Sequence, residues 1–197
     1  MESQLILLFT AILTGVAIEN AVFTRALGLS KTFIFLDGTK TGLIYGALTI
    51  WILSISSVFV GIINQTALQS HGFWIAIPLY LLSVCAVYAA TYLVMQKKLP
   101  RLFAKTERVM PLIAFNTALF GAFFIVMGRH LSISATIGYS FGTGVGYTIA
   151  LLVIHFARKR LAVSPVPRSF RGLPILFLYI GLISLALYGL IGQGLPT

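Results

Sequence analysis

The chain has 197 residues, 58% of them hydrophobic and only 9% charged. A soluble domain carries about 25% charged residues, so the composition excludes a water-covered globule and defines an all-α integral membrane protein. Lys and Arg number 14 against 4 Asp and Glu, a net charge of +10. A single cysteine, Cys85, excludes an internal disulfide framework, and scattered His71, His130 and His155 show no metal-ligand spacing.

A bilayer core needs about 20 apolar residues per helix. Six runs qualify: 4–29, 38–63, 73–95, 109–128, 134–157 and 173–192. The first follows Glu2 and is too long for a signal-peptide core, so it is expected to stay as an anchor. Glu19 and Asn20 sit deep within it. A carboxylate at bilayer depth is costly and is usually paired or faces a cavity. An amide can satisfy backbone groups freed by a helix break. Two readings stay open: a midplane site where broken helices meet, or a Glu19 near the interface paired with Arg25.

The second run carries Gly38, Gly42 and Gly46 on one helix face, which permits close helix contact. A polar, neutral link at 64–72 follows, and Asn64-Gln65-Thr66 fits a glycosylation sequon. In the third run Cys85 is expected to be a small buried side chain. Trp51, Trp74, Tyr80 and Tyr188 are expected in interfacial belts. The segment 97–108 mixes Leu99, Leu102 and Phe103 with five cations. It suits an interfacial position among lipid headgroups, with docking of a cytosolic partner as the alternative.

The fourth run places Asn116 and Thr117 deep in the membrane. The fifth carries Gly138, Gly142 and Gly146, again on one face. Its Gly142-Thr143-Gly144-Val145-Gly146 stretch lies inside an apolar span, so it is no nucleotide-binding loop. No Ser-His-Asp or paired-carboxylate arrangement is present, and four acids leave little for acid–base catalysis.

The first, third and fifth links, counted from Arg25 onward, hold thirteen cations; the other side has Arg129 alone. Short basic loops stay cytoplasmic. Both termini are therefore expected outside, and the charge needs no nucleic acid.

Three spans per half require related halves to insert in opposite senses, an inverted repeat. Asn20 and Asn116 are 96 positions apart, as are Pro78 and Pro174. The two glycine triplets lie 100 positions apart. The reading is one membrane domain of two inverted three-helix repeats, about 1–96 and 97–197, with helices one and four broken.

The segments ENAVFTRALGLSKTF (19–33), AFNTALFGAFFIV (114–126) and RKRLAVSPVPRSFRGLPI (158–175) resemble the Rnf/Nqr family of six-span membrane subunits. The run 160–172 leans toward the A-type subunit. The resemblance implies inverted repeats with half-helices at the Asn motifs, in a bacterial cytoplasmic membrane. It implies a homologous, oppositely oriented partner among the other electron transport subunits, besides contact with membrane lipids. It also implies an iron–sulfur cluster held between two such subunits by cysteines. Here those positions read Ser30 and Thr117. Neutral hydroxyls replace thiolates poorly, so no cofactor is expected within this chain, and flavin or iron–sulfur centres would belong to partners. Three readings follow: a subunit of an ion-translocating electron transport complex, a small-molecule or ion carrier on the same scaffold, or a purely structural subunit.

Overall fold

In the computed structural model, residues 2–30, 39–71, 73–107 and 110–191 are described, and all regular structure among them is helical. Hydrocarbon offers no hydrogen-bond partner, so each span closes its backbone bonds internally. Helix α1 (Glu2–Leu13) runs into a π-helical turn, Thr14–Ile18. Next come α2 (Thr39–His71) and α3 (Phe73–Lys98). A short α4 (Pro100–Thr106) starts with proline, whose missing N–H costs nothing at a first helical turn. The fourth span is split into α5 (Met110–Ala114) and α6 (Thr117–Gly128). The long α7 (Ile133–Val163) is joined by a 3-10 turn at Arg168–Phe170 to α8 (Leu173–Ile191).

Five stretches are long and apolar enough to cross a bilayer, the split span among them, and the first is a shorter apolar helix, Gln4–Ile18. The expected first span thus stops eleven residues early, because the chain leaves the helix at Glu19. Conversely, α2 continues through His71 where a polar link was expected. Asn64 explains this: it is buried, donates to Leu131 O and accepts from the Tyr80 hydroxyl. That burial also removes it as a glycosylation acceptor.

Helix α7 lies at the centre, between α1 and α2. A Cβ at Gly138 would stand 2.6 Å from Leu8 O, and one at Gly146 2.7 Å from Val16 O. One at Gly142 would overlap the Ile12 backbone. The steps of four on both helices show α1 and α7 running parallel in close contact. On its other side α7 meets α2 antiparallel: Gly144 faces Ile50, and Gly46 faces Thr148. Gly42 is buried as well, whereas Gly38 lies outside the described residues. Helix α8 is peripheral, with Leu176 and Ile180 buried and Leu182 and Leu185 exposed.

Trp51, Trp74 and Tyr188 are exposed, but Tyr80 is buried, so it is a core residue rather than part of a belt. Cys85 is exposed on α3 instead of buried; α3 packs through Ala76, Tyr80, Val84 and Val87, which leaves Cys85 on the opposite face.

Candidate functional site at two broken helices

The first break begins where the π-helical turn closes with Glu19 N–H donating to Thr14 O at 2.7 Å. Asn20 then takes over the freed backbone. Its Oδ1 accepts from Val22 N–H (3.0 Å) and Phe23 N–H (3.2 Å). Its Nδ2 donates to Val16 O and to Gly146 O, each at 3.0 Å. One buried amide thus serves four backbone groups that lipid could not satisfy. Beyond it the chain reverses through Ala26 (φ +54°) and Gly28 (φ +76°). A Cβ at Gly28 would stand 2.5 Å from the Tyr147 ring and 2.9 Å from Asn116 Oδ1.

The second break has the same chemistry. Asn116 is extended (φ −90°, ψ 121°) and caps α6, its Oδ1 accepting from Ala118 N–H at 3.0 Å. Its Nδ2 donates to the Tyr45 hydroxyl at 3.0 Å. The 12 residues of α6 span about 18 Å, so Asn116 lies about that far along the span from its Arg129 end. The two breaks meet: Gly28 N–H donates to Thr117 Oγ1 at 2.8 Å, and the Tyr147 hydroxyl donates to Gly28 O at 3.2 Å.

Glu19 is buried and belongs to a separate cluster. Its Oε1 accepts from Arg25 at 2.9 Å and from Arg129, and its Oε2 accepts from the Tyr139 hydroxyl at 3.0 Å. This is the pairing alternative, extended by a second arginine. Arg25 shares its carboxylate with Arg129, the lone cation of the opposite side. Arg25 thus lies beside Arg129, not apart from it as the charge count expects.

Among the sequence-derived residues, Asn20, Asn116 and Thr117 are thus drawn together, whereas Glu19 is turned away toward Arg129. Sequence reasoning missed Gly28, Tyr45, Tyr139 and Tyr147. A usable signal was present: tyrosine adjoins glycine in Tyr45-Gly46, Gly138-Tyr139 and Gly146-Tyr147.

The donor set does not fit an iron–sulfur cluster. Ser30 and Thr117 are exposed hydroxyls, and the Thr117 oxygen already accepts from Gly28. Cys85 is on α3, outside this cluster. Among the described residues no group of His, Cys, Asp and Glu could hold a metal ion.

Five stretches long enough to span a bilayer and a shorter apolar first helix, with Asn20 and Asn116 bonding the backbone at the two breaks, define a multi-pass α-helical membrane protein whose irregular backbone is gathered at one centre. The Rnf-Nqr subunit family of membrane proteins matches residues 8–193. The E-type subunit of the Na(+)-translocating NADH-quinone reductase from Marinobacter nauticus is 31% identical, covering 99% of this chain and 100% of its own. The A-type subunits of two ion-translocating oxidoreductase complexes are 28% identical: the one from Azoarcus sp. covers 97% of both chains, that from Vibrio cholerae 98% of both. The chain belongs to the Rnf-Nqr subunit family.

Proposed function

We propose that this chain is a membrane subunit of an ion-translocating oxidoreductase complex. It sits in a bacterial cytoplasmic membrane with both termini outside. Its broken-helix face pairs with a homologous, oppositely oriented subunit. The names of its relatives support the complex. One observation carries the pairing: Ser30, Phe115 and Thr117 are exposed beside both helix breaks. Irregular backbone at bilayer depth is tolerated only where protein or a water-filled cavity covers it. In this reading the partner subunit supplies that cover.

The hydrogen bonds support two inverted halves, about 1–96 and 97–197. Asn20 of the first half bonds Gly146 of the second, and Asn116 of the second bonds Tyr45 of the first. Each half's asparagine reaches into the other half, Asn20 to a backbone carbonyl and Asn116 to a phenol hydroxyl. In this reading the chain supplies a rigid midplane frame, and redox centres, flavin or iron–sulfur, reside on other subunits. A carrier on the same scaffold is disfavoured, since the polar atoms of Glu19, Asn20, Asn116 and Thr117 are engaged within the protein.

The test is purification of the chain with its membrane partner. A Phe115→Cys variant is expected to cross-link to the partner through a short bifunctional reagent, and the pair is expected to lack stoichiometric iron and visible cluster absorbance. Cross-linking of Phe115→Cys to lipid alone defeats the pairing. A stoichiometric cluster spectrum defeats the frame role.

A further inference from the structure

A groove of about 670 Å³ runs between α2 and α3, away from both helix breaks. On α2 it is lined from Leu48 to Phe59 and on α3 from Ala86 to Met95, and it ends at Leu99, just past α3. Eleven residues of helix separate Leu48 from Phe59, which is about 17 Å. That is close to the depth of one leaflet, roughly 15 Å of hydrocarbon. Trp51 and Phe59 are half exposed along it, so it opens toward the bilayer.

The chemistry of the groove selects its occupant. Thr91 carries the one hydroxyl among the lining residues, and it already donates to Val87 O at 2.8 Å. The other lining side chains are hydrocarbon, thioether or aromatic, which suits an unbranched hydrocarbon chain that needs no polar partner. At the Leu99 end the groove adjoins Lys97, Lys98 and Arg101, all exposed. Lys97 and Lys98 close the last turn of α3, and Arg101 lies in the first turn of α4. No ion pair with a described residue engages them; the ion pairs among the described residues are those of Glu19. Three exposed cations flanking Leu99, with no ion pair among the described residues, beside an apolar groove of leaflet depth suit a headgroup with its tail.

We infer that the α2–α3 groove holds one acyl chain of an anionic phospholipid whose phosphate rests on Lys97, Lys98 and Arg101. The site is a lipid position on the outside of the bundle, separate from the broken-helix face. It ties the start of α4 to the end of α3, so it also holds the basic segment down at the headgroup level.

The experiment uses the full chain in detergent, incubated with phosphatidylglycerol or phosphatidylcholine of identical acyl chains and observed by native mass spectrometry. One phosphatidylglycerol per chain is expected to survive, and phosphatidylcholine to be lost. Lys97→Gln/Lys98→Gln/Arg101→Gln is expected to weaken phosphatidylglycerol retention on the order of a hundredfold, from about one kcal/mol per cation. Ala90→Trp, which fills the groove without touching the charges, is expected to abolish retention; unchanged helical circular dichroism certifies each variant as folded. Equal retention of both lipids, or full retention by either variant, overturns the inference. So does loss of labelling by a photoreactive phosphatidylglycerol once the membrane partner is bound, because the groove would then hold a helix of that partner.

Discussion

The backbone N–H of Gly28 donates to the Thr117 hydroxyl at 2.8 Å, and this bond joins the two helix breaks. Gly28 is buried, so its N–H has no solvent to fall back on. Thr117→Val removes the acceptor while keeping the shape. It is expected to lower stability by about 1–3 kcal/mol, the cost of one unsatisfied buried group. Thr117→Ser keeps the oxygen and is expected to cost under half as much. Thermal unfolding in detergent reads both, and equal losses would show that the methyl packing matters and the bond does not.

The two asparagines differ in load. Asn20 serves four backbone groups, but Asn116 serves one backbone N–H and the Tyr45 hydroxyl. Asn20→Ala is therefore expected to destabilise more than Asn116→Ala, each lost buried partner costing about 1–3 kcal/mol. Asn20→Asp keeps the acceptor for Val22 and Phe23 but turns a buried carboxyl oxygen toward Val16 O and Gly146 O, and should destabilise at least as much as Asn20→Ala. The ranking comes from melting temperatures; a larger loss for Asn116→Ala would contradict it.

Much of this centre was legible because it violates the surrounding composition. Asn20 and Asn116 stand out in apolar runs, and the glycine triplets recur at helical spacing. What escaped the sequence has a common physical cause: a break changes where the following residues go. Arg25 follows an apolar run and so counts as the start of the next loop. The chain in fact leaves the helix at Glu19, and Arg25 joins the cation at the far end of α6. Tyr45 and Tyr147 escaped for another reason. A tyrosine in a span reads as an interfacial anchor, and only the fold shows its hydroxyl bonded to a broken backbone. Asn64 misled in the opposite sense, its polarity suggesting a link when its partners are buried inside the bundle.

Glu19 is shared by two arginines whose side chains are 43% and 47% exposed. Removing either arginine leaves the carboxylate paired with the other, so Arg25→Gln and Arg129→Gln should each cost about 1 kcal/mol or less. Removing both leaves a buried carboxylate with the Tyr139 hydroxyl as its one side-chain partner among the described residues. The double variant is expected to cost about 3 kcal/mol, more than the two singles together. A thermodynamic cycle on the three variants measures this. Simple additivity would mean that the two arginines act independently.

Glycines of the spans are expected to divide by what faces them. At Gly142 a Cβ would overlap the backbone of Ile12, and backbone cannot rotate aside as a side chain can. Gly142→Ala must therefore push α1 away from α7, at a cost of about 1–3 kcal/mol from overpacking. The same displacement moves Asn20 relative to Gly146, one turn further along, so the damage should reach the first break. Gly181 is the control, a helical glycine on α8 with nothing within 4 Å of a built Cβ. Gly181→Ala should be neutral or stabilising by about 0.5–1 kcal/mol, because alanine favours helix over glycine. Melting temperatures of the two variants separate the cases. A tolerated Gly142→Ala would mean that α1 can move away from α7 at little cost, and that the parallel contact does not hold the first break in place.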